Sequence, residues 1–224
     1  MNLDGLKDVI IQLLGLGKKQ IDISSFQNDM ISFKSYDDVL TLLIHLGYLA
    51  YDFDTKEVFI PNKEIADEFV TSIKEAQWGE IIRAINSSND LLEATWRSDA
   101  ETVAAIVEKV HNETSILTYN NETALSYTVC LAYYTAREYY SIIREMPAGK
   151  GFADLMFIPR INHLDKPALV IELKWDLSAD AAIKQIKDKN YPDILRDYRG
   201  NILLVGINYN RESKIHECAI ERIM

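Results

Sequence analysis

Gly149-Lys150-Gly151-Phe152-Ala153-Asp154-Leu155-Met156-Phe157-Ile158 and, after the polar turn Asn162 to Pro167, Ala168-Leu169-Val170-Ile171-Glu172-Leu173-Lys174-Trp175 are the two runs whose reading decides the fold. Both are short, rich in apolar and β-branched residues, and bounded by turn formers, which predicts two neighbouring strands of one sheet. Side chains alternate faces along a strand, so Glu172 and Lys174 share one face and Ile171 and Leu173 the other. Asp154, on the adjacent strand, joins them if the pairing register allows. Two carboxylates and a lysine then meet at one place, a set able to hold a hard divalent cation against a phosphate.

Working outward, Asn120-Asn121-Glu122 opens a predicted helix through Tyr140, with either asparagine able to cap it. Leu125, Ser126, Val129, Cys130 and Tyr133 recur at helical offsets from Glu122, which puts that carboxylate on the inward face. An acid in a first turn also complements the helix dipole. Tyr139 to Glu145 reads as a strand. After Trp175, Ser178 caps a helix from Ala179 to about Lys189 whose Ala182, Ile183 and Ile186 face a core. Asn201 to Ile207 is a continuous apolar run of the buried-strand type, and Lys214 to Glu221 a final edge strand. A mixed α/β sheet is expected.

The chain before residue 112 reads as helices and a hairpin. Leu3, Leu6, Ile10, Leu13 and Leu14 mark an amphipathic helix ended by Gly15-Leu16-Gly17, and Gln20 to Ile23 is a short strand. A nearly all-apolar helix from Asp37 to Leu46 is expected to be buried on most sides. Tyr48 to Phe53 and Glu57 to Ile60, joined by Asp54-Thr55-Lys56, form a β-hairpin. Helices followed by such a hairpin predict a winged-helix-like unit over residues 1–75. Its second helix begins with two aspartates, which argues for a scaffold rather than a groove reader. Residues 76–111 read as a helical connector of two runs separated at Asn86-Ser87-Ser88-Asn89-Asp90, and residues 112–224 as the α/β domain.

Composition bounds the rest. With 224 residues and 48% hydrophobic content the chain can bury a sizeable core. No run approaches the ~20 apolar residues of a membrane helix and no signal peptide is legible, so a cytoplasmic location without a membrane partner is expected. Cys130 and Cys218, far apart in sequence, predict plain thiols rather than a disulfide framework or zinc site. A net charge of −10 opposes a broad basic nucleic-acid face. It leaves room for a local site where carboxylates bind a cation, and all-oxygen ligation favours Mg²⁺ or Mn²⁺.

Asp154 followed eighteen residues later by Glu172-Leu173-Lys174, preceded by helical Glu122 and followed by helical Gln185, resembles the PD-(D/E)XK nuclease superfamily. The wording Gly-Lys-Gly-x-Ala-Asp-Leu, His-Leu-Asp-Lys-Pro-Ala-Leu-Val-Ile-Glu-Leu-Lys-Trp and Gln185 to Tyr191 resembles a branch found after AAA-ATPase-like domains in bacterial proteins. The resemblance implies a restriction-endonuclease-like mixed sheet flanked by helices, with Mg²⁺- or Mn²⁺-dependent hydrolysis of phosphodiester bonds in nucleic acid, DNA first among them. Carried over by position, Asp154 and Glu172 are metal ligands with Glu122 as the helical acid, Lys174 is the catalytic lysine, and Gln185 the helical residue beside it. The resemblance also implies an AAA-ATPase-like partner, upstream or in trans. No phosphate-binding Gly-rich loop occurs in this sequence, and Phe152 stands where relatives often carry arginine. The alternative function is a non-catalytic module that docks on that partner.

Overall fold

A computed structural model describes residues 5–26, 33, 35–75, 79–114, 122–148, 151–191, 195, 198 and 201–223. The chain divides into two compact units, Met1–Ile82 and Arg83–Met224.

In the first unit, α1 (Leu6–Leu14) buries Ile10, Leu13 and Leu14 of the expected stripe and Val9 and Ile11 besides, while Leu6 is half-buried and Leu3 lies outside the described residues. Strands β1 (Lys19–Gln20), β2 (Ala50–Asp52) and β3 (Glu57–Phe59) form an antiparallel sheet in the order β1-β3-β2, so the expected hairpin is present. Between them, α2 (Tyr36–His45) starts at the two aspartates, and both are spent on backbone groups. Asp38 Oδ2 accepts from the N–H of Ser35 at 3.1 Å and Asp37 Oδ2 from the N–H of Asp22 at 3.2 Å. Asp38 therefore answers an N–H at the α2 start, while Asp37 ties the helix to the chain at Asp22. Burial of α2 on most sides is not observed: Leu40 and Thr41 are buried, Leu42, Leu43 and Ile44 are half-buried, and Leu46 is exposed. Apolar spacing on every side identified the helix but not how many of its sides a small unit can cover. Helix α3 (Lys63–Glu75) follows.

The expected break at Asn86 to Asp90 does not occur. Helix α4 (Gly79–Trp96) runs straight through it. Ser87 Oγ bonds the carbonyls of Arg83 and Ala84 within the helix, and Ser88, fully buried, accepts from the N–H of Thr135 at 2.8 Å. Hydroxyls that usually favour turns are here satisfied by helix and neighbour, so tertiary context overrides propensity. Helix α5 (Ala100–Thr114) follows. Helix α6 (Glu122–Ala132) is shorter than expected, giving way to a 3-10 turn at Tyr134–Glu138.

Five strands make the central sheet: β4 (Tyr140–Ala148), β5 (Gly151–Pro159), β6 (Ala168–Trp175), β7 (Ile202–Asn210) and β8 (Ile215–Ile223), in that spatial order. Only β6 and β7 are parallel, joined across α7 (Ala179–Asp188); the other pairs are antiparallel. The expected mixed sheet is thus present, and β8 is an edge strand as read.

Alternate residues of β6 and β7 serve different layers. Val170 and Leu204 join Met156 beneath Ile183 and Ile186 of α7. On the other face Phe157 meets the ring of Tyr133, just past α6, and Tyr209 meets His111 of α5. A sheet covered on both sides needs apolar residues at both parities, which explains why these two strands read as continuous apolar runs.

Candidate active site

Glu172 and Lys174 are polar interruptions in a strand whose other residues from Ala168 to Leu173 are fully buried. Their register partners on β7 are Gly206 and Asn208. Glu172 is only 1% exposed, so its charge has lost nearly all contact with water. Lys174 Nζ donates to Glu172 Oε1 at 2.8 Å and to the carbonyl of Leu173 at 3.0 Å. Gln185 Nε2, reaching across from α7, also donates to Glu172 Oε1.

Asp154 reaches the same place through backbone geometry. The β5–β6 pairing joins Leu155, Met156 and Phe157 to Ile171, Val170 and Leu169. One step beyond that ladder, the N–H of Leu173 is taken by Asp154 Oδ2 at 2.7 Å. A side-chain carboxylate stands where a strand carbonyl would otherwise accept, and this ties Asp154 beside Glu172.

The electrostatics reflect that crowding. Burial, reinforced by the Asp154 charge, pushes the Glu172 carboxyl up to about 7, against the opposing pull of Lys174. Its Oε2 is buried without a hydrogen-bond partner among the described residues. A buried carboxylate with one oxygen engaged by two donors and the other unanswered, beside a second acid, is a donor set suited to a hard divalent cation. Among the described residues no group of three or more Asp, Glu, His or Cys side chains could hold a metal. Two carboxylates fit Mg²⁺, which commonly keeps several waters and takes one or two acids.

Sequence reasoning thus brought Asp154, Glu172, Lys174 and Gln185 to one place, and all four are there. Glu122 begins α6, but its side chain lies outside the described residues, as do Asn120, Asn121, Gly149 and Lys150.

Three neighbours went unassigned. Tyr191, 1% exposed, brings its hydroxyl to 3.4 Å from Gln185 Nε2, and its pKa is raised by burial, with Glu172 and Asp154 adding to the shift. Asn208 is buried, accepting the N–H of Leu177 at 3.1 Å and donating to its carbonyl at 3.2 Å, so it fixes the turn that launches α7. Gly206 is the third. A glycine and an asparagine inside an apolar strand run were the available signal, since each is unfavourable there without a local reason.

Neither thiol competes for a chemical role: burial pushes Cys130 up to about 11 and Cys218 up to about 12. No helix among the described residues is long and apolar enough to cross a membrane. Comparison with known proteins adds one finding. A family model described as PD-(D/E)XK nuclease superfamily matches residues 121–218, a span containing Asp154, Glu172, Lys174 and Gln185. No curated protein matches the chain.

Proposed function

We propose that the chain, whose residues 121–218 match the PD-(D/E)XK nuclease superfamily model, hydrolyses phosphodiester bonds in DNA with Mg²⁺ or Mn²⁺ as cofactor. The observation that carries the reading is Glu172 Oε2, buried beside Asp154 and without a partner among the described residues, while Oε1 takes both Lys174 and Gln185. Asp154 and Glu172 would hold the ion, with Glu122 as a further acid. A divalent ion there supplies Lewis acidity toward the phosphoryl group and the attacking water.

The chain's own residues account for the rest. Asp154 is fixed through the Leu173 N–H and cannot swing out of the cleft without breaking a 2.7 Å bond. Gln185 holds Glu172 Oε1, which turns Oε2 toward its own task. Lys174, 9% exposed, keeps a positive charge in a poorly hydrated place where negative charge develops on phosphate oxygens. Its contribution belongs to the transition state. Lys174→Ala is therefore expected to leave Mg²⁺ affinity within about threefold while lowering kcat by about 100-fold. Calorimetry with Mg²⁺ and steady-state cleavage on the same samples separate the two effects; equal loss of both would make Lys174 a structural counter-ion.

The deciding experiment is digestion of single- and double-stranded DNA with Mg²⁺, Mn²⁺ or EDTA, wild type against Glu172→Gln. Metal-dependent cutting that the variant lacks supports the proposal. Absence of metal binding, with any residual cutting equal in the two proteins, would replace it by the interaction-module reading, in which the domain docks on an AAA-ATPase-like partner. The same result would withdraw the metal roles of Asp154 and Glu172. In the first unit, the helices and the β2–β3 hairpin support a winged-helix-like scaffold, and the engagement of Asp38 with the Ser35 N–H and of Asp37 with the Asp22 N–H argues against α2 reading a DNA groove.

A further inference from the structure

Building on the site read above, we propose that Gly206 is a positioning residue: its missing side chain lets α7 sit low enough on the sheet for Gln185 to reach Glu172. Gly206 lies on β7 directly opposite Glu172 in the parallel register. A Cβ at this position would collide with the carbonyl oxygen of Ala179 and come within 2.9 Å of the Ala182 Cβ, both on α7. A backbone oxygen cannot rotate aside as a flexible side chain can, so the helix itself would have to rise. Gln185 lies one turn beyond Ala182 on that helix, with Ala182, Ile183 and Ile186 buried on either side of it.

Other contacts hold α7 against the sheet at both ends. At its start, Ser178 Oγ caps the Ala181 N–H at 3.1 Å and Asn208 pins Leu177. Past its end, Tyr191 packs its ring into the apolar layer beneath the helix and sets its hydroxyl 3.4 Å from Gln185 Nε2. That hydroxyl occupies the space a side chain on Gly151 would need, 3.1 Å from its Cβ position. Glycines on two strands thus admit two close approaches, and Gln185 lies between them with its amide on Glu172. Close-packed interiors transmit such a displacement rather than absorb it.

The test reads Gln185 twice. By NMR, the Gln185 side-chain amide, assigned by its loss in Gln185→Ala, is expected to exchange slowly with solvent in the wild type. In Gly206→Ala it should exchange at the rate of an exposed amide while the protein still unfolds cooperatively. By kinetics, Gly206→Ala is expected to lower kcat by about 100-fold with KM little changed, the scale of a 1 Å misplacement. Combined with Gln185→Ala it should lose no more than the worse single variant, because both act through one contact. An unchanged Gln185 amide in Gly206→Ala, or losses that multiply in the double variant, would overturn the proposal. If Gly206→Ala does not fold, Ala182→Ser applies a smaller push from the helix side and the same two readouts decide. Should the wild type not cut DNA, the amide exchange still tests the role of Gly206, so the failure of one reading is not mistaken for the failure of the other.

Discussion

Glu172→Gln is expected to cut DNA about 100-fold more slowly than the wild type, or worse, and to lose the stabilisation that Mg²⁺ gives. The magnitude follows from the proposed role: changing residues that merely orient a metal ligand costs about 10–100-fold, so changing a residue proposed as the ligand itself should cost at least the upper figure. The substitution is close to isosteric, so the buried site keeps its volume, and the amide oxygen still accepts from Lys174 and Gln185. What disappears is the charge and the second carboxylate oxygen, the Oε2 that no described residue answers. Asp154→Asn is the matching change on β5, and better chosen than alanine, because its amide oxygen still accepts the Leu173 N–H that Asp154 now holds at 2.7 Å. Alanine would leave that N–H unsatisfied and cost about 1–3 kcal/mol of stability for reasons unrelated to the ion. Thermal unfolding with and without Mg²⁺ should show a rise in Tm for the wild type and none for either variant, since an ion stabilises only the state that binds it. Equal rises in all three proteins would remove Asp154 and Glu172 from the metal site.

The second unit was more legible in the sequence than the first, for a physical reason. Its strands carry strong period-two or continuous apolar signals, and Glu172 and Lys174 stand out because a buried strand tolerates charge only where the charges are paired. Asp154 was recognisable as a candidate, but not its hold on the Leu173 N–H, since register beyond the last ladder pair depends on how the strands diverge. The break between the two helical runs was placed too early, at Asn86 to Asp90, because that stretch has turn composition; it falls between Trp96 and Ala100 instead, and the bond from the Thr135 N–H to Ser88 that supports α4 comes from a residue 47 positions away. Gly206 was visible as an oddity in an apolar run, while its meaning lay in the carbonyl of Ala179, which no local pattern encodes. Helix α2 shows the reverse case. Its apolar residues gave the element but not the burial of Leu42, Leu43 and Ile44, because burial depends on neighbours that sequence spacing does not specify.

Acid should weaken the second unit earlier than its carboxylates alone would dictate, because two neutral histidines are buried where α5 meets β8. His111 Nδ1 and His216 Nε2 are 2.7 Å apart, a hydrogen bond that needs one ring to donate and the other to accept. Tyr209 packs against both rings, and Trp175 of β6 packs against Tyr209. Glu108 lies 3.8 Å from His216 Nδ1 and already accepts the His216 backbone N–H at 3.0 Å. Burial holds His111 down at about 4 despite the pull of Glu108, and burial with the neighbouring His111 holds His216 down at about 3. The unfolded chain takes up these protons near pH 6.5, whereas the fold resists them until about 4 and 3. Their contribution to stability is therefore complete above about pH 6.5 and is lost as pH falls through the folded values, at up to about 1.4 kcal/mol per pH unit for each histidine. Between pH 6.5 and 5 most ordinary carboxylates are still ionised in both states; Glu172, held up at about 7, takes its proton in the fold first and opposes the loss, so both proteins compared carry Glu172→Gln and the window then isolates the pair. Urea denaturation followed by tryptophan fluorescence, with Trp175 beside the cluster, should give a midpoint that falls steadily across it. The double variant His111→Leu/His216→Phe replaces both partners by apolar groups of similar size and should flatten that dependence, since neither ring remains to be protonated. A slope as steep with the two histidine changes as without them would show that the pair is not the acid-sensitive element.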